Sequence, residues 1–108
     1  MSLDPSYRIC YEKKFEKWVK KNFPQKLKGV LDEKLRYFSE NPNHPSLNTK
    51  PYTGVSRRVL KQLEIDAVFE FYVNMDYRII LYISHVDKTI IIAFIGTHDE
   101  VRRYIKNS

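Results

Sequence analysis

At 108 residues, with 43% apolar and 14% aromatic content, the chain suffices for one packed domain, spanning 1–108, and not for two. Its formal charge of +6 is carried by residues 1–58, where 13 Lys/Arg face 6 Asp/Glu; residues 59–108 hold 6 against 7. No run approaches the roughly 20 apolar residues of a membrane helix, and the basic half favours a polyanion or an acidic protein as partner.

Tyr7 to Tyr11 reads as a short first strand, with the lone Cys10 as a small core residue and no internal disulfide possible. With no charged-then-apolar leader visible, the expected compartment is the reducing cytoplasm. Phe15, Trp18, Val19 and Phe23 then recur at helical spacing, with Lys13, Lys14, Lys17, Lys20 and Lys21 largely off that stripe. Pro24 breaks the segment and suits the first turn of a second helix. In that helix Leu27, Val30, Leu31, Leu35 and Phe38 share one face, Gly29 weakens it, and Asn41-Pro42 ends it. The spacing predicts a helical hairpin laid on a sheet.

Asn41 to Gly54 reads as a loop, and it holds His44, Lys50 and Tyr52. Val55, Val59, Leu60 and Leu63 fit either a short helix or an extended segment. Three strands follow: Val68 to Val73, Tyr77 to Ile83 after a turn at Asn74-Met75-Asp76, and Thr89 to Ile95 after His85-Val86-Asp87-Lys88. The runs Ile79-Ile80-Leu81 and Ile90-Ile91-Ile92 do not alternate with polar residues, so both sheet faces should be covered. The hairpin covers one face; the final helix, a loop or a partner must cover part of the other. Thr97 and Glu100 then have the T-x-x-E spacing of a capping box opening a last helix. His98 falls in its first turn, where the helix dipole and free backbone N–H groups favour an anion. A titratable ring beside a phosphate seat on a basic domain suggests phosphodiester chemistry.

Three strings carry a resemblance: Asn41-Pro42-Asn43-His44-Pro45-Ser46-Leu47, Val73-Asn74-Met75-Asp76-Tyr77-Arg78-Ile79-Ile80 and Gly96-Thr97-His98-Asp99-Glu100-Val101. In this order, on this element pattern, the chain resembles the RelE/ParE superfamily of bacterial toxins from type II toxin–antitoxin pairs. The resemblance implies an α+β fold: an N-terminal strand and helical hairpin packed on a small, mainly antiparallel sheet, with a short C-terminal helix. It implies a protein antitoxin as partner. It also implies either a metal-independent endoribonuclease acting on mRNA, often on the ribosome, or, as in the ParE branch, a non-nuclease inhibitor of DNA gyrase.

Metal-free RNA cleavage needs a group to take the 2′-OH proton, one to protonate the leaving oxygen, and cations for the phosphorane. By resemblance His98 is the general acid or base, the alternative being an ordinary residue of a helix's first turn. Arg78 either faces the groove toward the scissile phosphate or pairs with Glu70 or Asp76 across the turn. Some relatives carry an arginine four residues before the histidine; here that position is Phe94. Lys50, Arg57, Arg58 and Lys61 form a cluster suited to backbone phosphate. His44 matches a His-Pro loop position and equally fits turn chemistry. Tyr104 suits either a base stack or the packing stripe of the last helix, as Tyr72 and Tyr77 suit stacking or strand packing. Asp99 and Glu100 read as capping and dipole partners rather than an acid–base pair. His44, His85 and His98 have no metal-ligand spacing, so neither a metal nor another cofactor is expected.

Overall fold

In the computed structural model, which describes residues 2–107, strand β1 (Arg8–Tyr11) leads into helix α1 (Lys13–Asn22). Phe15 and Val19 lie one turn apart, which puts both on the face buried against the core, with Trp18 packed beside them. Pro24 does not open the second helix. It precedes a single 3-10 turn at Gln25–Leu27, and α2 runs over Lys28–Glu40. Leu31 and Phe38 are the buried residues of α2, whereas Val30, expected on the same face, stays exposed. The following loop is clasped to the N-terminal segment: Leu3 N donates to Asn43 Oδ1 and Asn43 Nδ2 donates to Leu3 O, both at 2.8 Å.

The loop expected up to Gly54 contains a two-residue strand, β2 (Lys50–Pro51). The segment left open between helix and strand is a helix, α3 (Arg57–Leu63), because Ser56 caps it: its Oγ accepts from Val59 N at 3.2 Å. Then come β3 (Ala67–Tyr72), β4 (Tyr77–Ser84), β5 (Thr89–Thr97) and α4 (His98–Lys106). The α+β architecture inferred above is thus present. Cys10 is half-buried on the outermost strand rather than in the core. No helix among the described residues is long and apolar enough to cross a membrane.

The five strands are ordered β1-β5-β4-β3-β2, with β1 parallel to β5 and every other pair antiparallel. Ile79, Leu81 and Ile83 alternate with Ile80 and Tyr82 along β4, so the central strand feeds two apolar layers. One layer lies under α1 and α2; there Phe38 stacks on Phe71 with centroids 4.8 Å apart. The other joins Val68, Ile80, Tyr82 and Phe94 to Val101 and Ile105 of α4, with Leu60 and Leu63 of α3 against it. The face left without a cover in the sequence reading is therefore closed by α3 and α4.

A bulge in β5 sets up the functional end of the sheet. Ile80 pairs with Phe94 but Leu81 pairs with Ile92, leaving Ala93 as the extra residue. Ala93 and Phe94 consequently both pack toward α4, and Ile95 returns to the hairpin side. The reset brings Gly96 opposite Arg78 and Thr97 opposite Tyr77, where the ladder ends.

Candidate functional site

Glu70, Tyr72 and Arg78 share the α3–α4 face of the sheet by strand alternation, since Tyr72 pairs with Arg78 and Glu70 with Ile80. Arg78 Nη1 donates to Glu70 Oε1 at 3.0 Å, and both side chains are largely buried, 15% and 7% exposed. Of the two arrangements open for Arg78, the ion pair with Glu70 is formed. Its guanidinium carbon lies 4.8 Å from the centroid of the Tyr72 ring. Its Nε is buried without a hydrogen-bond partner among the described residues. A guanidinium offers five donors, so the pair with Glu70 leaves most of them for other acceptors.

Lys50 enters this group from the edge strand, directly opposite Glu70 in register, with its ammonium 4.9 Å from the same Tyr72 centroid. The Tyr72 side chain, and after it the Glu70 charge, raises the Lys50 pKa against partial desolvation and the Arg78 charge. Its ammonium is held charged. The result is an aromatic ring with two cations near it and one buried carboxylate between them, a net positive spot on an otherwise apolar face. Arg57, Arg58 and Lys61 project, exposed, from α3, which packs on that same face, and none makes an ion pair among the described residues.

His98 is the first residue of α4, exposed, with no hydrogen bond or ion pair to its ring among the described residues. The capping box is complete: Thr97 Oγ1 accepts from Glu100 N at 3.3 Å and Glu100 Oε1 accepts from Thr97 N at 2.9 Å. The carboxylate read as a capping group is one, and the His98 and Asp99 N–H groups stay outside the box. Gly96, two residues before His98, lies opposite Arg78 in the ladder. The guanidinium and the imidazole therefore arise at the same end of β4 and β5.

The other sequence candidates are engaged elsewhere. His44 stacks on Tyr37 with centroids 4.6 Å apart, and its Nδ1 accepts from Ser46 N to cap the turn Pro45–Leu47. Its loop is tied to the hairpin side of the sheet, where Leu47 is buried. Tyr104 stacks on Phe94 at 4.1 Å, and Trp18 meets Phe94 at 4.9 Å. Phe94, at the position where some relatives carry an arginine, is thus the middle of an aromatic stack and supplies no charge. His85 bonds the Tyr7 hydroxyl at the opposite end of the β4–β5 ladder. Among the described residues no three His, Cys, Asp or Glu side chains gather as a metal site. Glu70 was weighed only as a partner for Arg78. The signal for more was its inward position between Val68 and Tyr72 in an otherwise apolar strand.

The same architecture recurs in solved structures. RelE in the archaeal RelE–RelB complex from Pyrococcus horikoshii OT3 superposes with TM-score 0.58 at 18% identity, over 85% of this chain and 94% of that one. YafQ from E. coli strain BL21(DE3) matches with TM-score 0.59 at 17% identity, over 89% and 98%. This chain has the RelE/ParE toxin fold. A YoeB/ParE toxin from Agrobacterium tumefaciens matches too, with TM-score 0.54 at 9% identity, over 84% and 98%. No protein-family model matches the sequence, and no curated protein does. In the RelE/ParE fold the likeness lies in backbone architecture, so the chemistry must be argued from this chain's own side chains.

Proposed function

We propose that this chain is the toxin of a toxin–antitoxin pair and cleaves mRNA in the cytoplasm as a metal-independent endoribonuclease. The observation that carries the reading is the register placing Arg78 opposite Gly96, two residues before an exposed histidine on a capped helix N-terminus. The fold supports the toxin assignment, and the RelE above, crystallised with RelB, supports an antitoxin as partner.

In this mechanism the ribose 2′-oxygen attacks the adjacent phosphorus as its proton is taken up, and the bond from phosphorus to the 5′-oxygen breaks. The leaving oxygen gains a proton, and the upstream fragment ends in a 2′,3′-cyclic phosphate. His98 shuttles the proton, while Arg78, anchored by Glu70, stabilises the extra charge of the phosphorane. Lys50, with Arg57 and Lys61, holds backbone phosphate. Tyr104, on the same face of the sheet, borders the groove with one ring face already occupied by Phe94, whereas His44, stacked on Tyr37 on the hairpin side, takes no part in it. An acidic or amphipathic antitoxin segment silences the protein by covering the cations. The ribosome is a further partner to be tested by comparing free and translated messages.

The test expresses wild type beside His98→Ala and maps RNA ends. Wild type should arrest growth and leave cyclic phosphate ends, and the variant should cut about 10²- to 10⁴-fold more slowly. Identical ends from both proteins would remove His98 from the chemistry. Intact transcripts with DNA breaks would replace the nuclease with a gyrase inhibitor.

A further inference from the structure

Strand β1 is an open edge of the sheet. Arg8 N donates to Lys88 O and Glu12 N to Ile92 O, both at 2.9 Å, so the even-numbered residues of this segment bond to β5. In a parallel pair only alternate residues of a strand face the partner, which turns the N–H and C=O of Ile9 and Tyr11 outward. β1 is the last strand on its side, and no turn, loop or cap hydrogen bond among the described residues takes up those groups. The strand has neither a proline nor a bulge to turn a neighbouring strand away.

The side chains say what fits there. The segment Arg8-Ile9-Cys10-Tyr11-Glu12 is complementary to itself when reversed. Laid antiparallel on a second copy about a two-fold axis at Cys10, Arg8 faces the second copy's Glu12 and Ile9 faces its Tyr11. Ile9 and Tyr11, whose backbone groups point outward, then form the hydrogen-bonded pairs, and Cys10 forms the close pair without hydrogen bonds. Centring on Tyr11 instead would set Arg8 opposite Lys14, and centring on Ile9 would leave both charges unpaired. Arg8 and Glu12 are exposed, and neither makes an ion pair among the described residues. Glu12 even stands at the N-cap of α1 without a capping bond. Tyr11 is exposed and meets Phe15 with centroids 5.6 Å apart. Beside it a cleft of about 350 Å³ opens between α1 and α2, walled by Val19, Leu31 and Leu35, so apolar surface continues past the strand.

We propose that β1 is a self-association edge: two copies pair their β1 strands antiparallel about Cys10, making one continuous sheet through both. The Arg78 end of the sheet stays clear, because β1 pairs only the Thr89–Ile92 half of β5 and Gly96 lies beyond it. The inference goes beyond the ribonuclease reading and stands or falls without it. A four-residue strand pair buries little, so the dimer is a weak one, formed at high protein concentration. Two readouts test it: sedimentation equilibrium over a concentration series, and the rate of disulfide trapping by diamide, which takes up two electrons and two protons from the paired Cys10 thiols. On the axis the two Cα atoms would lie about 4.5 Å apart, within the range a disulfide spans. Wild type should associate and be trapped as a covalent dimer. Arg8→Glu and Glu12→Arg each set like charges face to face twice across the axis, and each should weaken association and slow trapping at least about tenfold. Arg8→Glu/Glu12→Arg restores opposite charges at both places and should recover both readouts to within about threefold of wild type. Tyr11→Pro removes an outward N–H without touching the bonds to β5, and should abolish association while circular dichroism stays native. A wild type that remains monomeric throughout overturns the proposal, whichever other strand the edge accepts. A dimer indifferent to both single reversals overturns it too, as does a double variant no better than the singles.

Discussion

Arg78 and Glu70 meet because two antiparallel strands place them diagonally on one face, and Tyr72 fills the space directly opposite Arg78. Their burial makes each depend on the other, since removing one partner of a buried pair strands the other charge. Glu70→Gln keeps the shape and removes the counter-charge. It should cost about 3 kcal/mol in urea denaturation, against well under 1 kcal/mol for the exposed Asp32→Asn, whose pair with Lys28 is open to water. Equal, small losses from both variants would show that the Glu70 pair is not the anchor of Arg78. Lys50 behaves differently, because its raised pKa keeps the ammonium charged through neutral pH. A group whose pKa is raised on folding contributes fully below its unfolded value and loses that contribution only as pH climbs through the folded one. For a lysine that window lies in strong alkali, so Lys50 adds nothing to pH dependence near neutrality.

Two glycines, both near element ends, differ in the space around them. Gly29 lies near the start of α2, where an added Cβ would meet nothing within 4 Å, and its φ is not positive. Gly29→Ala should therefore stabilise by about 0.5–1 kcal/mol through reduced freedom of the unfolded chain. Gly96 sits where β5 turns into α4, and a Cβ there would lie 2.9 Å from both Glu100 Cβ and Phe94 Cε2. Gly96→Ala should lower the melting temperature and loosen the capping box, and thermal melts of the two variants should shift in opposite directions. A shift of the same sign would mean that α4 does not press on β5 as described. The contrast also marks what was legible in the sequence. The capping box of α4 and the apolar stripes of α1 and α2 are local rules, readable from spacings of three and four. α3 stayed open because Val55, Val59, Leu60 and Leu63 suit either geometry and the deciding Ser56 cap is a single hydroxyl. β2 was not seen because a two-residue strand exists through its partner β3. The bulge at Ala93 was hidden for the same reason, being a mismatch between two strands rather than a property of one. Arg78 was legible by position and Glu70 as one of its two candidate partners; the choice of Glu70 over Asp76 and the burial of the pair belong to the packed sheet, which no local pattern reports.

On the scale of the whole molecule, the sheet is clamped between two unequal layers. β4 lies between β3 and β5, covered on both faces, and Ile79 to Ser84 are buried without a break. α3 has no fully buried residue and is seven residues long, below the length at which a helix holds itself together in water. Local opening should therefore follow this gradient, because amide protection tracks burial and the closeness of local packing. In native-state hydrogen exchange, Ile79 to Ile83 should open only with global unfolding, while α3 should exchange through local fraying at far lower cost. The measurement has functional weight, since α3 carries Arg57 and Lys61 on the face of Arg78. In the proposed ribonuclease, a frayed α3 would supply cations that adjust to a bound RNA over the rigid β4 that holds the guanidinium. RNA binding should then raise protection in α3 selectively and leave β4 unchanged. If α3 proves as protected as β4 in the free protein, those cations are fixed, and the groove must accept its ligand without rearrangement.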